Sequence, residues 1–310
     1  MAGLSFEEQV YWTLIDLANA LLTGTFIGGY YAILSIGLAL SFGVMRLVNL
    51  AHGEFLIVGA YISAVILQVV NIPPFFVLFI VVPIMFGIGY GLQRFLLNRV
   101  SVQAMERRGM SANFGLMAPI LVTFGLSIFI SHGLLAIFAS DAMSINNSLA
   151  FSAIRITSDL SVSTLRFIFF LFAIVLLIAL FLFLRHSATG RAIRATSDNP
   201  TYATLMGINT EHVFAVALGI SLAIGGVAGF MIGMTRTFQP FDGPQFILIA
   251  FGVVIIGGMN SIVGSLVGGV LLGIVQVLAG TYFGPSAQLV GGYMLVLAVL
   301  AFFREGLFSR

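Results

Sequence analysis

The chain has 310 residues, of which 60% are hydrophobic and 8% charged, with a formal net charge of +2. A soluble domain carries about a quarter charged residues, so a water-facing fold is excluded and lipid is the solvent that fits. The sequence contains no Cys and no Lys, which excludes disulfides, thiolate metal sites and ATP hydrolysis by a Walker-type loop, whose glycines must be followed by Lys.

The first residues, Met1 to Glu8, lack the basic start of a cleavable signal, so the first membrane segment is expected to act as its own insertion signal. A helix needs about 20 apolar residues to cross the hydrocarbon core. Apolar runs predict spans near 18–44, 50–70, 75–97, 116–138, 164–185, 212–234, 245–260, 262–280 and 286–303. The seventh and eighth are short and joined by Gly257-Gly-Met-Asn-Ser-Ile-Val-Gly264, the mark of a broken or re-entrant pair. The expectation is therefore an all-α, polytopic transmembrane bundle of eight or nine spans, forming one domain over 1–310.

Between the first two runs lie Arg46, Asn49, His52 and Glu54. Ionisable groups at membrane depth are costly and are commonly functional or paired. They form a candidate pathway or gate, with Arg46 and Glu54 as an ion pair. The competing reading places the cluster at the cytoplasmic interface as a cap for the second helix. Metal binding is disfavoured, because His52-Gly-Glu54 lacks the i, i+4 spacing and a third ligand.

All 13 basic residues are Arg. Basic residues favour cytoplasmic loops, and nine alternating spans place ten Arg inside: 46, 94, 99, 107, 108, 185, 191, 194, 304 and 310. Arg155, Arg166 and Arg236 fall outside, which sets the N-terminus external and the C-terminus cytoplasmic. The long external loop, about 139–163, carries Asp141 and Asp159. Gly87/Gly91, Gly225/Gly229/Gly233, Gly264/Gly268 and Gly269/Gly273 have the small-xxx-small spacing that lets membrane helices approach closely.

The loop at about 186–211 is different in character. It contains Gly190, Arg191, Arg194, Asp198, Asn199, Pro200, Tyr202, Leu205, Met206 and Gly207. Asn199 can N-cap a helix whose first residue is Pro200, and Gly207 stands where a C-terminal glycine belongs. That outlines a helix from Pro200 to Met206 with Tyr202, Leu205 and Met206 on one stripe, preceded by a helical piece near Arg191 to Thr196. Such a stripe either lies on its own bundle or docks into a cytoplasmic ATPase. A weak internal echo also exists: Arg46 precedes Gly53 and Phe55, and Arg236 precedes Gly243 and Phe246, with the same Arg-to-Gly interval. Opposite orientation of those two stretches would mark an inverted repeat.

Four stretches carry a resemblance: Gly37 to Phe55 with Gly59-Ala-Tyr61, Gly190-Arg-Ala-Ile-Arg-Ala to Asn209, Phe251 to Gly269, and Arg304-Glu-Gly-Leu-Phe308 to Arg310. In that order they resemble the LivH-type permeases of branched-chain amino-acid ABC importers. The stretches 98–115 and 139–163 match nothing in that pattern. The resemblance implies a second, LivM-type permease, two cytoplasmic ATPases holding ATP and Mg, and an external binding protein. It implies no cofactor and no enzymatic site in this chain, a coupling role for the 186–211 loop, and a bacterial or archaeal cytoplasmic (inner) membrane. The rivals are a permease for urea or a short amide, an ion-coupled secondary transporter, a channel and a membrane enzyme. The last two lack a filter motif and a catalytic constellation, and Glu54 is the one acid near a segment core available to couple ions.

Overall fold

A computed structural model describes residues 6–100, 112–147, 149, 152–155, 161–259, 261–303 and 306–308. Arg107, Arg108, Asp159, Asn260, Arg304 and Arg310 lie outside them. In chain order the helices are α1 (Phe6–Met45), α2 (His52–Val69), α3 (Leu78–Leu92), α4 (Ala112–Phe138), α5 (Thr164–His186), α6 (Ala188–Asp198), α7 (Pro200–Leu205), α8 (Thr210–Thr235), α9 (Gly243–Gly257), α10 (Ile262–Phe283) and α11 (Ala287–Phe302). A 3₁₀ turn, Pro74–Val77, leads into α3, and a π-helical turn, Gln93–Leu97, follows it. Among the described residues, seven helical segments are long and apolar enough to cross a membrane, and α9 and α11 are shorter apolar helices. Each of the nine predicted runs thus contains a helix.

The centre of the bundle is the apolar length of α1, α8 and the first half of α2, which are largely buried and, His52 and Glu54 aside, apolar on all sides. A helix that is hydrophobic all round belongs in such a place. Helices α4 and α5 lie outside and present Leu121, Phe129, Leu171 and Val175 to the surroundings, as lipid-facing helices must. Glycine sets the closest approaches: a Cβ on Gly24 of α1 would lie 2.6 Å from the Cα of Ile274 on α10. Gly269 and Gly273 answer it from α10, so the predicted packing role holds there. It fails for Gly87/Gly91, where a Cβ on Gly87 meets open space. Gly89 takes that role, against the Leu218 carbonyl, because two residues along a helix turn about 200° to the opposite face.

The 139–163 region adds the strands β1 (Ala153–Arg155) and β2 (Ser161–Ser163), an antiparallel pair with Ile154 opposite Val162. Upstream of them, Met143 pairs with Phe238 and the Ile145 amide donates to the Gly233 carbonyl at 2.8 Å. This satisfies a carbonyl that the end of α8 leaves free.

Two crossings are only half helical. His52 Nε2 lies 3.3 Å from the Leu34 carbonyl oxygen, and Leu34 precedes the end of α1 by 11 residues, about 16 Å. Residues 46–51 therefore carry the chain back to about mid-depth of a 30 Å core before α2 begins. Residues 236–242 do the same from the other end of α8, 26 residues away, and α9 begins at Gly243. The two helix starts meet, with Gly53 packed on the backbone of Gly243. The Arg46 and Arg236 turns thus sit at opposite ends of the bundle, the orientation that supports an inverted repeat. The re-entrant character belongs to the 236–257 crossing and to its counterpart 46–69. The eighth run, expected to share it, is instead a full-length helix.

Candidate functional site

The loop from α6 to α7 is built by side-chain caps. Ser187 Oγ accepts from the Gly190 amide (2.8 Å), and Asn199 Oδ1 accepts from the Thr201 and Tyr202 amides (3.0 and 3.1 Å). Asn209 Oδ1 accepts from the His212 amide at the start of α8 (3.0 Å). Pro200 occupies the first helical position, where a missing N–H leaves nothing unpaired. Gly207 ends α7 with φ +82°, in the left-handed region glycine enters without strain. The Ile208 amide closes the turn on the Ala203 carbonyl (3.0 Å).

Gly190 lets α6 lie directly on α5, against the backbone of Phe183 and Leu184. Arg191 and Arg194 donate to the carbonyls of His186 and Arg185 (2.9 and 3.4 Å), at the negative end of the α5 dipole. Ala203 is the buried residue of α7. The predicted apolar stripe points the other way: Tyr202, Leu205 and Met206 are 67%, 77% and 85% exposed. The reading in which the stripe lies on its own bundle is therefore overturned. The Asp198 side chain is exposed, and its carbonyl is the part in use.

That carbonyl, with the one on Ser197, accepts from Arg46 Nη2 (3.5 and 3.3 Å). Ser197 Oγ in turn donates to the Gly43 carbonyl (2.6 Å). The end of α1 and the end of α6 are thus bolted together. The Arg46–Glu54 ion pair does not form, because Arg46 stays at the loop end while residues 46–51 carry Glu54 to mid-depth. Neither the gate nor the interfacial cap describes the four residues as a unit.

Asn49, His52 and Glu54 are all buried at the start of α2, but they do not form one cluster: His52 faces Leu34 on α1, and Glu54 faces Gly243 on α9. Asn49 Oδ1 accepts from the Ala51 amide (3.1 Å), leaving Nδ2 without a partner. His52 donates through Nε2 to Leu34, leaving Nδ1 without one. Glu54 contacts the Ser127 hydroxyl and packs on Gly243, while its Oε2 is unpaired. Each such group costs about 1–3 kcal/mol when nothing answers it. Two features escaped the sequence reading, the Ser197–Gly43 bond and the Gly53–Gly243 contact; the shared Arg-to-Gly interval was the trace of the second. Among the described residues, no group of His, Asp and Glu could hold a metal ion.

A bundle of apolar helices with polar groups buried where two half-helices meet defines a multi-pass membrane protein. The chain belongs to the family described as branched-chain amino acid transport system, permease component, whose model matches residues 20–301. It is 27% identical to the high-affinity branched-chain amino acid transport system permease protein LivH of Escherichia coli, over 98% of both chains. To BraD of Pseudomonas aeruginosa it is 26% identical over 97% of both. To the probable LivH of Methanocaldococcus jannaschii it is 30% identical, over 82% of this chain and 78% of the relative. No solved structure gives a significant match.

Proposed function

We propose that this chain is the membrane-spanning permease subunit of an ATP-binding-cassette importer that moves branched-chain or other hydrophobic amino acids. The observation that carries the coupling role is α7: a capped helix held outside the bundle with Tyr202, Leu205 and Met206 uncovered. An apolar stripe of that kind needs a partner surface, and the groove of a cytoplasmic ATPase is a fitting one. Gly190, Arg191 and Arg194 seat α6 on α5, and Arg46 ties it to α1, so movement of a docked partner would reach the helices that lead to the start of α2.

In this reading ATP and Mg are bound by two partner ATPases, and this chain has no ATPase site of its own. A second, LivM-type permease completes the channel and an external binding protein delivers the solute. Asn49, His52 and Glu54 line the pathway. The membrane is the cytoplasmic (inner) membrane of a bacterium or archaeon, with α6 and α7 inside and the N-terminus external. The arginines support this orientation. Arg46, Arg94, Arg185, Arg191 and Arg194 gather at the α6–α7 end, and Arg155, Arg166 and Arg236 at the other.

The test is uptake of labelled leucine into proteoliposomes holding this chain with its permease partner and ATPases, with binding protein outside and ATP on the ATPase side. Uptake that requires ATP and ignores imposed proton or sodium gradients is expected. Gradient-driven uptake without the ATPases would overturn the importer reading. ATP-dependent activity without leucine movement would overturn the substrate assignment alone.

A further inference from the structure

Two of the three arginines that run against the general distribution lie together. Arg166, in the first turn of α5, and Arg236, just past α8, line one cavity of about 280 Å³ at the end of the bundle opposite α6 and α7. Among the described residues its lining contains no Asp or Glu. Arg236 donates to Gln245 Oε1 at 2.9 Å and lies over the Phe246 ring, 4.8 Å from its centroid, so among the described residues its partners are neutral. Arg166 is likewise without a carboxylate partner there, and it sits at the positive end of the α5 dipole.

The Tyr30 hydroxyl is buried in the same place. It lies beside Thr235 yet makes no hydrogen bond of good geometry. The Thr235 proton is committed to the Met231 and Ile232 carbonyls (2.9 and 3.1 Å). Phe26, Phe169 and Ile249 form the apolar part of the wall. Two guanidinium groups, a phenol with its proton free and an aliphatic–aromatic wall are complementary to a small apolar molecule bearing one carboxylate. The volume lies just below the range of about 300–1,000 Å³ usual for drug-sized ligands.

We propose that this cavity binds the carboxylate of the transported solute, with Arg166 and Arg236 holding it and the Tyr30 hydroxyl donating to it. The aliphatic side chain lies against Phe26, Phe169 and Ile249. The identification of that solute as a branched-chain amino acid rests on the function proposed above; the demand for a carboxylate does not.

The experiment measures labelled leucine binding to the assembled transporter in phosphatidylcholine nanodiscs without the binding protein. The competitors are 4-methylpentanoate, which keeps the carboxylate, and leucinamide, which lacks it. Displacement by 4-methylpentanoate and not by leucinamide is expected. Arg236→Gln and Arg166→Gln should each weaken binding about tenfold or more, and Tyr30→Phe by a smaller factor. Equal displacement by leucinamide in the unaltered protein overturns the site without reference to any variant. A lipid phosphate is the other source of the same chemistry: retention of phosphatidylglycerol that depends on Arg166 and Arg236, with leucine binding indifferent to both, also overturns it. The two proposals fail separately. Leucine uptake driven by ATP with binding blind to the carboxylate removes the site and leaves the importer. Carboxylate-selective binding without leucine uptake keeps the site and changes the solute.

Discussion

Gly53, one residue into α2, rests on the backbone of Gly243, the first residue of α9, although 190 positions separate them in the chain. Neither residue has room for a side chain: a Cβ on Gly243 would lie 2.8 Å from the Glu54 carboxyl carbon. Two half-helices therefore start from one point near mid-depth and run to opposite ends of the bundle. Gly53→Val is expected to destabilise the protein by about 1–3 kcal/mol or more, because the clash is with backbone and not with a movable side chain. Gly87→Ala, whose Cβ enters open space, serves as the control and should not lower stability. Thermal unfolding of the purified chain in detergent compares the two directly. Equal melting temperatures would mean that the helix starts do not meet.

Glu54 stands at that junction with Oε2 unpaired. Glu54→Gln keeps the shape and removes the charge, so melting should not fall. Uptake should fall at least severalfold if the carboxylate serves the pathway. Full uptake with unchanged stability would assign Glu54 to architecture and remove it from the route.

How far the sequence foretold these relationships depends on distance along the chain. The spans were legible because apolar runs of about 20 residues have few alternatives in lipid. The α7 helix was legible because its cap, its proline and its closing glycine are local chemistry, and Asn199, Pro200 and Gly207 occupy those roles in the structure. The group Arg46, Asn49, His52 and Glu54 was misleading as a unit. A non-helical segment covers about 3.3 Å per residue, so 46–51 can separate Arg46 from Glu54 by most of half a membrane. No periodicity records whether a chain leaves a helix forward or doubles back. The Gly53–Gly243 contact and the Arg166–Arg236 cavity are tertiary, and their sequence traces were an interval and an exception to the charge pattern.

Leu205 is 77% exposed in α7, so Leu205→Asp should leave the bundle's stability within about 0.5 kcal/mol of the parent. A charge placed in a desolvated groove is costly. The same variant should therefore lose most of the ATPase that co-purifies with the complex. Undiminished co-purification would count against docking through this stripe. Asn199→Ala acts on the same helix from within. Losing its cap should destabilise α7 by about 1 kcal/mol, seen as faster amide exchange at Thr201 and Tyr202 with global melting unchanged.

Arg46 offers a way to separate docking from transmission. Its backbone is left-handed, with φ +52°, a conformation a non-glycine residue adopts at a cost of about 1–3 kcal/mol. Its guanidinium reaches the Ser197 and Asp198 carbonyls at the end of α6. Arg46→Gly removes the reach and relieves the strain together, so the protein should be at least as stable as before. The ATPases should still bind, because α7 is untouched. If movement passes from α6 into the 46–51 segment and on to the buried junction, ATP hydrolysis should continue while leucine uptake per ATP drops severalfold. Adding Ser197→Ala, which removes the bond to Gly43, should deepen that loss. Uptake per ATP that stays at the parent value in the double variant would show that the motion travels by another route, the contact of Gly190 with α5 being the next to test.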